Sequence, residues 1–289
     1  MTLTRLADLP PVPPGAARIA FLGDIVGKRG RALALAQVQP LRDAGAELII
    51  ANGENASGGN GLTAKEAQLL LAGGIDVLTT GNHVWKHADI VAFVDQEPRV
   101  LRPANYPPNT PGKGYGLFPL PGGGSFLVVC LLGRTFLEPV DCPFRSSDAL
   151  LAELGLPGPV WPPAPDAPPG GPPRIPSLVD FHAEATAEKH AVRFHLDGRV
   201  SAVLGTHTHV QTSDAELTSL GTAYVTDVGM TGAYPSVIGF EPKPVLDRFR
   251  TLRPHRYVPA DGPGRAEGAV LDVDRAAGRC LAVSTIRVA

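Results

Sequence analysis

Asp24, Glu54, Asn55, Asn82, His83, His182, His207 and His209 are the residues whose types and placement fit metal-assisted hydrolysis. Each sits just past an apolar run. Asp24 closes Ile19–Gly23, Glu54 and Asn55 close Leu48–Gly53, and Asn82 with His83 closes Val77–Gly81. His182 closes Leu178–Phe181, and His207 and His209 close Ala202–Thr206. A donor set of carboxylate, amide and imidazole favours Mn, Fe or Zn over Ca or a thiolate site. Two such ions, held about 3.5–4 Å apart, clamp a phosphate and generate hydroxide at neutral pH. His83 stands beside a ligand rather than in the donor set, as a proton donor would.

Taken singly, each residue has a plainer reading. Asp24 is also a turn aspartate ahead of Gly27 and Gly30, and Asn55 lies in a glycine-rich turn, where Asn is common. Asn82 with His83 also reads as a turn Asn beside a solvated His, and His182 as a core histidine. His207-Thr208-His209 puts two imidazoles on one side of a strand end, but an H-x-H arises by chance as well. Glu54 is more telling, because Glu is not a preferred turn residue. Asp180 and Glu184 are candidate orienters of His182. His87, His190, His195 and His255 lack such placement and read as surface or structural residues.

The elements that would position the eight are short, β-branched runs, which read as buried strands of a parallel sheet. Ligands bind beyond the carboxyl ends of such strands. Strands are expected at Arg18–Gly23, Leu48–Asn52, Val77–Thr80, Phe126–Leu131, Ser177–Phe181, Ala202–Thr206 and Thr222–Thr226. Helices are expected over Arg31–Ala44, kinked or divided at Pro40, from the Thr63/Glu66 capping box to Ala72, near His87–Asp95, over Ser147–Leu154 and over Ala183–Leu196. The segments Arg102–Gly116 and Gly229–Gly239 read as loops. Gly268–Val273 and Cys280–Val288 read as an antiparallel pair. This order favours an α/β fold, a layered α/β sandwich with mixed central β-sheets.

The 289 residues carry a net charge of −2 with acids and bases interspersed. No basic stripe argues for stable duplex nucleic acid binding and no polybasic or long apolar run for a membrane. Cys130, Cys142 and Cys280 are odd in number and lack C-x-x-C spacing, which fits a reducing compartment. With no secretory signal, a cytoplasmic protein is expected. Residues 1–17 read as a Pro-rich tail, and 18–289 as one domain with a Pro/Gly-rich insert at about 155–176. The glycine-rich rim and proline tail are compatible with a homo-oligomer.

Together the eight residues resemble the calcineurin-like metallophosphoesterase superfamily. That superfamily uses an Asp after the first strand, a bridging carboxylate after the second, a Gly-Asn-His and late histidines ending in H-x-H. Val26 stands where its G-D-x-H has His, and Gly53-Glu54-Asn55 replaces its G-D-x-x-D. Both departures match one branch, the YmdB-like bacterial metallophosphoesterases. The likeness runs from Arg18 onwards and includes Gly23-Asp24-Ile25-Val26-Gly27, Leu101-Arg102-Pro103-Ala104-Asn105, Gly133-Arg134-Thr135-Phe136 and Thr226-Asp227-Val228-Gly229-Met230-Thr231-Gly232.

The resemblance implies the calcineurin-like fold and two divalent or trivalent ions, Fe or Mn favoured and Zn allowed. It implies that Asp24, Asn55 and His209 hold one ion, that Asn82, His182 and His207 hold the other, and that Glu54 bridges them. A metal-bridging hydroxide would attack phosphorus, with His83 as general acid. The implied substrate is a small phosphodiester, a cyclic nucleotide, with 2′,3′-cyclic species favoured. Arg102 and Arg134 are candidate substrate-binding residues. Two alternatives stay open: a phosphomonoesterase on the same metals, and a nucleotide-sensing regulator with little turnover.

Overall fold

The structure, a computed structural model, describes residues 5–156, 158, 161–162 and 170–289. Residues 1–4 of the expected tail, and 157, 159–160 and 163–169 of the expected insert, lie outside the described residues.

Fourteen strands and six α-helices follow in chain order among the described residues: β1 (Ala16–Leu22), β2 (Asp24–Ile25), α1 (Gly27–Asp43), β3 (Ala46–Asn52), α2 (Ala64–Ala72), β4 (Val77–Thr79), α3 (Asp89–Gln96), β5 (Val100–Leu101), β6 (Tyr115–Pro119), β7 (Ser125–Leu132), α4 (Pro143–Glu153), β8 (Ser177–His182), α5 (Thr186–Leu196), β9 (Ala202–Thr206), β10 (Glu216–Leu217), β11 (Ala223–Val225), β12 (Met230–Ala233), α6 (Pro242–Thr251), β13 (Gly264–Asp274) and β14 (Cys280–Val288). One sheet runs β2-β12-β13-β1-β3-β4-β5, with β14 on β13; the other runs β10-β11-β9-β8-β7-β6. Both are mixed. β1, β3, β4 and β5 are parallel, as are β7, β8, β9 and β11, while β13, β14, β6 and β10 pair antiparallel.

The apolar runs lack polar alternation because both faces of each sheet are covered. Ile19 and Phe21 of β1 face a core shared with Phe126, Val128, Leu178 and Leu204 of the other sheet. Ala20 and Leu22 face the outer layer of α1, α2 and α3, with Ala34, Leu41, Leu70 and Ile90. On the far side Val129, Phe181 and Val203 pack under α4 and α5 through Leu150, Val192 and Leu196. The expected α/β sandwich is therefore a four-layer α/β/β/α stack with mixed central sheets.

Several boundaries differ from the sequence reading. β1 begins at Ala16, and Leu6 and Leu9 pack on the outer core. α1 starts at Gly27 and runs undivided through Pro40. Pro40 lies in its last turn, where it costs one intrahelical hydrogen bond without dividing the helix. α4 begins at Pro143, a residue preorganised for a first turn. The segment read as a loop at Gly229–Gly239 contains β12, which joins β2 to β13. β6 and α6 were not expected; β6 carries Pro119 and only partly buried residues, which suits an edge strand.

Candidate metal centre and active site

Seven of the eight residues, all but His83, are the expected ligands, and the fold brings all eight to one rim. Asp24, Glu54, Asn55, Asn82 and His83 follow β1, β3 and β4 of the first sheet; His182, His207 and His209 end or follow β8 and β9 of the second. The site straddles the seam between the sheets.

Glu54 Oε1 lies centrally, 3.0 Å from His182 Nε2, 3.3 Å from Asn55 Nδ2 and 3.2 Å from His83 Nδ1. On one side of it, His182 Nε2 lies 3.2 Å from Asn82 Oδ1 and 3.0 Å from His207 Nδ1. On the other, His209 Nε2 lies 3.0 Å from Asn55 Nδ2 and 3.7 Å from Asp24 Oδ1. Asp24, Glu54 and His182 are fully buried.

The outer hydrogen bonds decide which ring atoms face inward. Thr206 Oγ1 donates to Asp180 Oδ1 at 2.7 Å, so His182 Nδ1–H donates to Thr206 Oγ1 at 2.9 Å and Nε2 faces the cluster. Asp180 thus acts on His182 through Thr206, and it also accepts from Asn52 and Thr79. Glu184, expected beside His182, instead lies 3.0 Å from His207 Nε2, leaving His207 Nδ1 for the site. Ile238 O accepts from His209 Nδ1 at 2.9 Å, leaving Nε2 inward.

His207 and His209 both adopt left-handed backbone, with φ of 99° and 62°. That conformation costs about 1–3 kcal/mol per residue and needs support from its surroundings. Gly205 before the turn approaches Thr226 so closely that a Cβ would lie 1.8 Å from its carbonyl oxygen. Lys189 and Asp227 supply further support. Lys189 Nζ donates to Thr206 O at 2.8 Å, and Asp227 Oδ2 accepts from the Thr208 N–H at 3.0 Å. Sequence reasoning passed over Lys189, because a lone helical Lys reads as solvated.

Electrostatics tests whether these groups fit cations. Burial raises the Asp24 carboxyl, a shift that His209 and His182 oppose. Burial pushes Glu54 up too, but His182 and His83 hold it well below the usual carboxylate range. Burial alone would lower His182, yet Glu54 lifts it to about 9. His207 drops to about 3 through burial and then the neighbouring His182. Asp24 Oδ1 is buried without a hydrogen-bond partner. Glu54, His182 and His207 each offer a ligand atom, all within 4.8 Å of one another. At Gly81 a Cβ would lie 2.3 Å from Glu54 Oε2 and 2.5 Å from His182 Nε2, so the cradle admits no side chain there. A buried set of oxygens and imidazole nitrogens, one carboxylate oxygen of it unpartnered, is what divalent cations complete. Asn55 fits if its amide turns about Cβ–Cγ, exchanging Nδ2 for Oδ1 toward the site; the assignment of those two atoms follows the hydrogen-bond network.

His83 donates its backbone N–H to Glu54 Oε2 at 3.1 Å, and its Nδ1 lies 3.2 Å from Asn55 Oδ1. Its side chain is 34% exposed and opens on a cavity of about 400 Å³. The two arginines fare differently. Arg102 spends its guanidinium on the carbonyls of Pro103, Thr110 and Pro111 and lines another hollow, so the structure does not bring it to the cluster. Arg134 is exposed in the turn after β7, where its N–H donates to Glu188 Oε1 at 3.0 Å, and the preceding Gly133 N–H donates to His182 O at 2.9 Å.

The family model described as YmdB-like protein matches residues 20–286. The chain belongs to the YmdB-like family. A 2′,3′-cyclic-nucleotide 2′-phosphodiesterase of Bacillus subtilis (strain 168) is 41% identical over 273 residues, 94% of this chain and 97% of the relative. A crystal structure of a hypothetical protein from Thermus thermophilus superposes with a TM-score of 0.81 at 41% identity, covering 93% of this chain and 98% of that one. A Mycoplasma pneumoniae phosphatase superposes with a TM-score of 0.82 at 30% identity, covering 94% and 93%. This YmdB-like chain is a phosphoric ester hydrolase. No helix among its described residues is long and apolar enough to cross a membrane.

Proposed function

We propose that the chain is a dinuclear metal phosphodiesterase acting on cyclic nucleotides, with 2′,3′-cyclic species favoured. The observation that carries this reading is the division of the donors into two groups about Glu54. Asp24, Asn55 and His209 would hold one ion, Asn82, His182 and His207 the other, and Glu54 would touch both. Bound ions would supply Lewis acidity and lower the pKa of water to near neutrality.

The chain's own residues do the rest. The Asp180–Thr206–His182 relay and the Glu184–His207 contact fix two imidazoles in the ligating tautomer. Glu54 orients His83 by accepting from Nδ1, which leaves Nε2 as the free ring nitrogen of a side chain that lines the cavity. From there His83 can protonate the leaving ribose oxygen as the P–O bond breaks. Arg134, exposed and next in the chain to Gly133, whose N–H donates to His182 O, is the better placed of the two arginines to meet the phosphoryl oxygens. The diesterase named among the relatives supports the choice of a cyclic diester over a monoester. Mn and Fe suit the mixed oxygen–nitrogen shell.

Metal analysis paired with turnover of 2′,3′-cyclic AMP, 3′,5′-cyclic AMP and p-nitrophenyl phosphate tests the proposal. About two equivalents of Mn or Fe per chain and fastest turnover of the 2′,3′-cyclic diester are expected. One ion per chain, or preference for the monoester, would reject it.

A further inference from the structure

The cavity in front of His83 has two unlike walls. One carries Glu54, His207 and His209 of the candidate metal centre; the other carries Ile238, Phe240 and Tyr257. Ile238 joins the two, because its carbonyl holds His209. The Phe240 and Tyr257 rings lie 5.5 Å apart at 50°, with Tyr257 39% and Ile238 46% exposed. The Phe240 ring is seated against Gly59, where a Cβ would lie 2.7 Å from its edge. Backbone pairing of Phe240 with Val237 and the bridge to Pro259 fix the loop that carries it. Asn60, also on the lining, has a buried side-chain oxygen with no hydrogen-bond partner. Partly exposed aromatic surface beside an amide with an unpartnered oxygen offers a planar, polar-edged ligand both stacking and hydrogen bonding.

We infer that Phe240, Tyr257 and Asn60 form a nucleobase subsite, the base stacking on one ring while the other closes against its edge, and the Asn60 side chain bonding to the base. This rests on the reading of the adjoining cluster as a cyclic-nucleotide phosphodiesterase centre. A π-face takes any base, whereas an Asn amide offers an acceptor and a donor side by side, as a base edge does. The cavity, at about 400 Å³, falls in the range of roughly 300–1,000 Å³ usual for small-ligand sites. The phosphate would lie toward His83 and the base toward Tyr257, so base recognition is separate from the chemistry and tunes affinity rather than the bond-breaking step.

The test is calorimetric titration of the Mn-loaded full chain with adenosine 3′-monophosphate and with ribose 5-phosphate, which lacks a base. The nucleotide should bind roughly tenfold tighter or more, the value of one stacked base. In the double variant Phe240→Leu/Tyr257→Leu, which removes both rings but keeps apolar side chains, that advantage should shrink to about twofold or less. Ribose 5-phosphate affinity and metal content should stay as in the parent. Asn60→Ala should weaken only the nucleotide, by about fivefold. Equal binding of the two ligands by the parent chain, or an equal loss of both in the variants, overturns the subsite. Should the double variant fail to load metal, Tyr257→Leu alone decides, since that ring is partly exposed. Turnover of 2′,3′-cyclic AMP is measured separately. Its absence beside a retained nucleotide advantage would reject the diesterase and leave the subsite standing.

Discussion

Lys189 and Asp227 form a buried ion pair, Nζ to Oδ2 at 2.9 Å, that clasps the turn bearing His207 and His209. Removing one partner of a buried pair strands the other charge and costs about 3–5 kcal/mol. Here the pair also holds two histidines in left-handed backbone. Lys189→Met should therefore lower unfolding free energy by about 3–5 kcal/mol in urea titration. It should also lose bound metal, as read by elemental analysis. Full metal content with a parental midpoint would mean that the turn supports itself.

His83 and Glu54 touch each other but are predicted to fail differently. His83→Ala should retain its metals and lose about 10²–10⁴ in kcat, the usual share of a general acid. Glu54→Gln removes the charge that stands between the two donor groups, so metal content should fall along with activity. Metal analysis of both variants separates the roles, and normal turnover by Glu54→Gln would show that it bridges nothing.

Gly81→Ala is a sharper probe than its size suggests. The new methyl would meet Glu54 Oε2 and His182 Nε2 well inside contact distance, at 2.3 and 2.5 Å. Both side chains are buried and must shift to admit it. A loss of at least about 10–100-fold in metal affinity is expected, by analogy with disturbed ligand support elsewhere. Titration with a competing chelator measures it.

The three cysteines should separate by reactivity. Burial pushes the Cys130 thiol well up and the Cys280 thiol to about 12. Burial also raises Cys142, but the backbone N–H groups of Arg145 and Phe144 at the start of α4 outweigh it and lower that thiol. The thiolate is the reacting species. One thiol per native chain should react promptly with iodoacetamide near neutral pH, and Cys142→Ser should abolish that fast reaction. Peptide mapping that finds Cys130 labelled first would contradict this ordering.

How much of this was legible in the sequence depends on the range of the interaction. Asp24, Glu54, Asn55, Asn82, His83, His182, His207 and His209 were visible because strand ends are local signals and parallel strands share a carboxyl edge. The two-sheet core followed from runs apolar on both faces. Lys189 was not visible: its charge is buried only because α5 packs over β9 and delivers Nζ to Thr206 O. β12 escaped notice because Met230–Ala233 contains a glycine and pairs with residues more than 30 positions away. Arg102 was a candidate for substrate binding, yet the carbonyls of its own proline-rich loop claim it. Phe240 and Tyr257 lie in segments with no periodicity, so their shared wall appeared only in three dimensions.

The place of β13 in the first sheet ties Asp24 to a segment far along the chain. β2, which begins with Asp24, joins that sheet only through β12, and β12 joins it through β13, so the sheet path runs β2-β12-β13-β1. Asp24 is made early, but its seat depends on residues 264–274. A chain emerging from the ribosome therefore carries every candidate ligand through His209 before it can close the centre around them. The seat of Asp24 at the seam is complete only with β13 in place between β1 and β12.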